Sequence, residues 1–322
     1  MPHRMRLPWL APLLAISGFA HAQSYPTRPI RLLHGFATGS AIDVMGRPLA
    51  AKLSDLLGQQ VIVDSRPGAT GGIANEGVAK SAPDGYTLLT APGSSLTAVP
   101  HLQAVRFDPL RDFTGVAQTT AFSYVLVAHP SVPVQTARDL VALATSRPGY
   151  LTYGSTGVGS GFHLAGEMFC HLAGVKMLHV PYRGGGAAAI TDLMGGRVDL
   201  MWDALAVVRP QLMAGKLKAV GVTGSRRAAV LPNVPTIAES GLPGYEMLGW
   251  HGVLAPAATP REVIERLNAA ITKVLGMPDI RDLWAAQNMD IVPATPAQFS
   301  DLIRREYERY GALIKTAGIK LN

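Results

Sequence analysis

The sequence predicts an α/β protein of two lobes joined by two extended crossings, on three observations. Short apolar runs of strand type alternate with segments whose apolar residues recur at helical spacing, and this rhythm stops and restarts once. A leader of 22 residues leaves 300, more than one hydrophobic core usually organises. The chain ends in helices alone, which must pack back on the first lobe.

The elements follow in order. "MPHRMR" is a short basic start, "LPWLAPLLAISGFA" is apolar, and "AHA" at 20–22 places small residues before Gln23. That three-part pattern predicts a signal peptide over 1–22, cut after Ala22, with the mature chain soluble and exported. Fourteen apolar-rich residues are too few to span a bilayer comfortably. "IRLLHGF" reads as a strand, then "AIDVMGRPLAAKLSDLLG" as a helix in which Pro48 implies a kink or a later start. "QVIVDS", the turn "RPGATGG", the helix "IANEGVAKSA" and the strand "GYTLLTA" complete the first run. After the extended "AFSYVLVAHP" come "TARDLVALATS", "YLTY", "GFHLAGEMFCHLA", "KMLHVPY", "GGAAAITDLMGG", "VDLMWD", "LAVVRPQLMAG" and "KLKAVGVTG". This βαβα order predicts mostly parallel, buried sheets. The crossings fall near Ser123–Ala128 and Tyr245–Leu254. One lobe is therefore 23–124 with 247–322, the other 125–246, and the groove between them is the natural ligand site.

Composition excludes several functions. The net charge of +7 falls to +5 without Arg4 and Arg6, and the basic residues are spread singly without interleaved aromatics, so no nucleic-acid partner is expected. Cys170 is the one cysteine and forms no metal-spaced set. No serine fits G-x-S-x-G, and no H-E-x-x-H or P-loop occurs. His163 and Glu167 share a helix face, but two residues do not complete a metal site. The run Gly157-Val-Gly159-Ser-Gly161-Phe lacks a glycine at 162, and no acid ends "KMLHV", which argues against a dinucleotide site. No catalytic residue, metal or cofactor is expected.

What recurs is a small-residue turn leaving a strand and entering a helix. "HGFATGSAID" (34–43), "TAPGSSLT" (90–97), "YGSTGVGSG" (153–161) and "VPYRGGGAAAITD" (180–192) all share it. Such turns lie outside the carboxyl ends of strands, where ligands of open sheets bind, and helix N-termini favour anions. The glycines at 154, 157, 159 and 161 are expected to leave backbone amides uncovered for an anion, or else to serve only a tight connection. Four to six charge-assisted bonds contribute about 6–18 kcal/mol against an association cost of about 4–15 kcal/mol, which allows a micromolar ligand. Asp43, in the first helical turn, is placed to cap amides. Asp203 ends "VDLMWD", either capping the next helix or meeting a ligand hydroxyl, amine or bridging water.

The stretches "DGYTLL", "YGSTGVGSGFHLAGE", "HVPYRGGGAAAITDLMGGRVDLMWD" and "LPNVPTIAESGLPGYE" together resemble the Bug-type substrate-binding proteins of tripartite tricarboxylate transporters, over nearly all of the mature chain. The resemblance implies a periplasmic Venus-flytrap fold, acting as a monomer, that binds a small organic carboxylate without transforming it. It implies membrane permease subunits as partners, with a sensor kinase as the alternative; an exported enzyme is the remaining reading. It carries ligand contact to Phe36, Ala37, Gly39, Ser40 and Asp43 in the first loop and Ser94 in the third. In the second lobe it marks Ser155, Thr156, Gly157, Ser160 and His163, and across the groove Tyr182, Gly184 and Asp203. The chain departs from the family pattern at Gly35, Thr38, Ser40, Ile42 and Pro92-Gly93, changes that spare the anion-holding design and bear on which acid is taken.

Overall fold

The computed structural model describes residues 25–182 and 186–320. The signal peptide expected over 1–22 and Gly184 lie outside the described residues. The elements run β1 (Ile30–His34), α1 (Ala41–Leu57), β2 (Val61–Ser65), a 3-10 turn (Ala69–Gly71), α2 (Gly72–Ala79), β3 (Thr87–Pro92), α3 (Ser94–Thr97), α4 (Val99–Leu102) and β4 (Phe113–Ala128). There follow α5 (Ala137–Ser146), β5 (Thr152–Ser155), α6 (Gly161–Ala173), β6 (Leu178–Pro181), α7 (Gly186–Met194), β7 (Leu200–Ala204), α8 (Leu205–Met213) and β8 (Lys218–Val222). The chain closes with β9 (Leu248–Pro256), α9 (Arg261–Leu275), α10 (Pro278–Ala285), β10 (Asp290–Ile291) and α11 (Pro296–Ala317). No helix among these is long and apolar enough to cross a membrane.

The strands form one path, β2-β1-β3-β9-β4-β7-β5-β6, with β8 and β10 also on β4. Within it β1 pairs in parallel with β2 and β3, and β5 in parallel with β6 and β7. The expectation of mostly parallel sheets is corrected: β3 with β9, and β4 with β7, β8, β9 and β10, pair antiparallel, because the long β4 and the returning β9 run against the strands of both βαβ units. β4 is the strand that changes partners. Its residues from Phe113 to Ser123 pair with β9, and those from Tyr124 to Ala128 pair with β7 and β8. The extended stretch read from the sequence at 121–130 is thus the second half of a sixteen-residue strand. Its first half, "FTGVAQTT", mixes small and polar residues and reads weakly, because β9 and α11 bury it rather than its own apolarity.

The two crossings are tied by one hydroxyl. Thr223 Oγ1 accepts from the Tyr124 amide at 2.8 Å and donates to the Met247 carbonyl at 2.5 Å, and the residue is fully buried. Thr223→Val keeps the shape but strands the Tyr124 amide and the Met247 carbonyl. The expected cost is about 1–3 kcal/mol, read as a lower urea midpoint with unchanged m-value; an unchanged midpoint would show the hydroxyl to be dispensable.

Local signals explain most helix ends. Thr136 with Asp139 and Thr295 with Gln298 form capping boxes on α5 and α11, and left-handed Gly58, Gly174 and Gly318 end α1, α6 and α11. Pro48 neither delays nor ends α1, which starts at Ala41 and runs through it. The carbonyl left without its N–H partner belongs to Val44, on the exposed side of the helix, where water replaces the bond.

The turn 68–71 is strained. Gly68, Ala69, Thr70 and Gly71 all have positive φ, with the β-branched Thr70 at +52°. Left-handed backbone costs a non-glycine residue about 1–2 kcal/mol, part of which Thr70→Gly gives back against glycine's greater unfolded entropy. A net gain of roughly 0.5–1 kcal/mol in urea unfolding is expected, and a loss would mean that Thr70 contacts outweigh its strain.

Candidate functional site

The first lobe gathers three loops at the carboxyl ends of β1, β2 and β3. Gly35 lies so close to Gly71 that a Cβ on it would sit 2.3 Å from the Gly71 Cα. The Phe36 ring and the Ser95 side chain lie against Gly71 in turn, each 3.3 Å from where its Cβ would be. Ser65 Oγ donates to the Phe36 carbonyl at 2.6 Å, fixing the loop to β2. Ala37, Thr38 and Gly39 form its exposed tip.

Asp43 is buried, and its carboxylate is fully engaged. It accepts from the Gly39 amide and the Arg47 guanidinium, both at 2.9 Å, and faces His34 Nε2 at 3.1 Å. Burial acts to raise its pKa, but the bonds from Arg47 and Gly39 hold it below the usual carboxylate value. Asp43 therefore shapes the loop. Ser40, by contrast, occupies the N-cap position of α1 with a buried hydroxyl that bonds to nothing among the described residues. Ser94 opens α3 beside Gly93, which sits under the Trp250 indole so tightly that a Cβ would lie 2.2 Å from the ring.

In the second lobe the glycine loop uses up more of its own donors than its composition suggests. Gly157 has φ +124° and Gly159 +79°, conformations that side chains resist. The Gly157 amide, however, donates to Ser155 Oγ at 3.1 Å, the Gly159 amide to His163 Nδ1 at 3.1 Å, and the Ser160 amide to the Gly157 carbonyl at 3.2 Å. The expectation that the glycines leave these amides bare is corrected: a loop with positive φ folds its N–H groups onto its own side chains. Gly161 and Phe162, in the first turn of α6, have no intrahelical acceptor by position and keep the helix dipole behind them.

Behind this loop lies a buried polar network. Ser155 Oγ bonds His179 Nε2 at 2.7 Å, His179 stacks on His163 at 4.0 Å, and Glu167 accepts from the Tyr153 hydroxyl. Ser160 caps α6 by accepting from the His163 amide at 3.2 Å. Burial pushes His163 down to about 3 and His179 to about 4, so both are neutral at pH 7. Ser155 and His163 thus support the loop from inside. No group of metal-holding residues exists among the described residues, and burial pushes the Cys170 thiol up to about 12, leaving it inert.

Across the loop, Tyr182 lays its ring against Gly154 and donates its hydroxyl to Asp192 at 2.8 Å. Asp203 is 2% exposed; its Oδ1 accepts from the Ala204 amide at 2.7 Å and its Oδ2 has no partner among the described residues. The structure brings Asp203 and Thr156 together beside Gly186, whose absent Cβ would lie 3.6 and 3.5 Å from them. The two lobes touch where Gly159 lies against Val99 and Leu102 of α4.

Sequence reasoning did not place Gly71, Ser95, Trp250 or His179 at the site. The glycines of "RPGATGG" are a signal for the first; the others come from distant segments and leave none. Cavities of about 400 and 350 Å³ lie elsewhere, one against α11 and one behind the crossings near Phe122, Arg226 and Asn288.

Two groups of loops at the carboxyl ends of strands, carried on a sheet whose long strand β4 exchanges partners midway, define the α/β periplasmic binding protein fold. The profile of the tripartite tricarboxylate transporter family receptor, TctC, matches residues 45–319. The chain is 35% identical to the protein BugT of Bordetella pertussis over 313 residues, 96% of each chain. It is similar to R. palustris Rpa4515, solved with adipate, at TM-score 0.85 and 35% identity over 92% of this chain and 99% of that one. It is also similar to MatC of Rhodopseudomonas palustris with bound malate, at 0.83 and 30% over 90% and 100%. The chain belongs to the TctC, or Bug, family of solute-binding receptors, and is a binding protein rather than an enzyme.

Proposed function

We propose that this receptor captures a small organic carboxylate in the periplasm and delivers it to the membrane permease of a tripartite tricarboxylate transporter. The lobes that close on it are 23–124 with 247–322 and 125–246, after removal of 1–22. The observation that carries the reading is the match, over nine-tenths of the chain, to relatives solved with adipate and with malate. The loops support it chemically. The described loop residues 35–40, 93–97 and 155–160 include no lysine or arginine, and their hydroxyls, first-turn amides and helix dipoles are proposed to meet the anion. Ser40, Thr156, Ser94 and Asp203 are the groups proposed to face it, with Phe36 and Gly157 shaping the space. Native mass spectrometry of what co-purifies, then a thermal-shift screen of mono-, di- and tricarboxylates, tests the reading. A saturable stabilisation by at least one acid is expected; none across the panel would defeat it.

A further inference from the structure

If the site holds an anion, a second carboxyl group already stands beside it. We propose that Asp203 binds as a neutral acid, donating its carboxyl hydrogen to an oxygen of the bound carboxylate, so that above neutral pH each ligand is taken up together with a proton. This rests on the carboxylate-binding reading above.

The geometry carries it. Asp203 Oδ2 is buried and unpartnered, and it faces the first turn of the nine-residue helix α7 beside Thr156 of the glycine loop. Every element packed on β7 has its charged groups engaged elsewhere. On β4 the residue paired with Asp203 is Val125, and the neighbouring Tyr124 carries a neutral hydroxyl. On α7, Asp192 is held by Arg197 at 2.7 Å and Tyr182 at 2.8 Å. On α8, Arg209 reaches the Ala286 carbonyl at 3.1 Å. β5 ends in Ser155, bonded to His179, and on α6 His163 faces Glu167 at 3.7 Å. No cation among the described residues is therefore placed to hold Asp203 as an anion, and burial pushes its pKa up to about 7.

Two carboxylates within hydrogen-bonding reach in a water-poor site do not both stay ionised. The neutral acid turns that repulsion into a charge-assisted O–H···O⁻ bond, and the proton stays on Asp203. The opposite arrangement, an ionised Asp203 accepting from a ligand ammonium or hydroxyl, gives the opposite pH dependence.

The test measures adipate and malate binding by calorimetry at pH 6.5 and 8.5, in two buffers of different ionisation enthalpy. Both acids are fully or almost fully ionised over this range, so the protein's protons are what change. With a pKa of about 7, the wild-type affinity should fall about 25-fold between these pH values, with nearly one proton absorbed per ligand at pH 8.5. Asp203→Asn keeps the Ala204 acceptor and places an amide N–H donor where the acid hydrogen was, so its affinity should stay level. Asp203→Leu, checked for fold by circular dichroism, should bind weakly at both pH values. A wild-type affinity that is flat or rises with pH, or an Asp203→Asn affinity that falls in parallel with wild type, would overturn the inference and leave carboxylate binding standing. No binding by any acid of the panel at either pH would overturn both.

Discussion

Gly157→Val is expected to weaken carboxylate binding at least about 30- to 150-fold, the equivalent of roughly 2–3 kcal/mol, while the protein stays folded. The reason is backbone geometry and not bulk. No heavy atom lies within 4 Å of the missing Cβ, but φ is +124°, a region closed to valine. The turn must refold, breaking the two 3.1 Å bonds between Ser155 Oγ and the Gly157 amide and carbonyl, and so moving Thr156 and the first turn of α6. Ser160→Ala, which removes the α6 cap, should cost less, about 1 kcal/mol in stability. Gly195→Ala is the control. It lies at the far end of α7, with ordinary φ and no Cβ contact below 3.4 Å. Titration calorimetry on variants checked by circular dichroism decides the matter; wild-type affinity in folded Gly157→Val would reduce these glycines to a tight connection.

Acid is expected to unfold this protein above the pH range in which ordinary carboxylates titrate. His163, His179 and His251 are pushed by burial from 6.5 to about 3, 4 and 4. Their folded pKa values are depressed, so the unfolded chain binds protons first, and stability present above pH 6.5 is lost as pH falls toward 4. Each contributes about 2.5 pKa units over that window, together on the order of 10 kcal/mol as an upper figure. Asp203 has the reverse sign, since its pKa is raised; its burial penalty is relieved as pH falls from about 7, returning roughly 3–4 kcal/mol. The histidines win, and the net loss rivals the whole stability of a typical domain. Urea midpoints measured from pH 7.5 to 4 should fall steeply below pH 6.5. Replacing His251, which touches Thr120 at 3.2 Å away from the glycine loop, by Gln should flatten the slope; a midpoint constant down to pH 4.5 would contradict the argument.

Much of the fold was legible because it is locally encoded. Apolar spacing marked α6, and strand-ending glycines marked the loops proposed to form the site. The weak signals failed for physical reasons. The polar first half of β4 is a strand because β9 pairs with it, and Pro48 sits inside α1 because one lost bond does not outweigh the helix's buried face.

The sequence by itself determined the strand–helix order, the family and the positions of the small-residue turns, since periodicity, turn chemistry and motif spacing are properties of neighbouring residues. Only the tertiary structure decided what each polar group does there. Asp43 is consumed by Gly39, Arg47 and His34; Ser155 turns inward to His179, 24 residues away; Thr223 joins Tyr124 of one crossing to Met247 of the other. Asp203 alone among the acids of these described loops keeps a buried oxygen without a partner. A hydrogen bond is settled by which donors and acceptors the packed chain brings within about 3 Å, and that distance is set by contacts between segments the sequence keeps far apart.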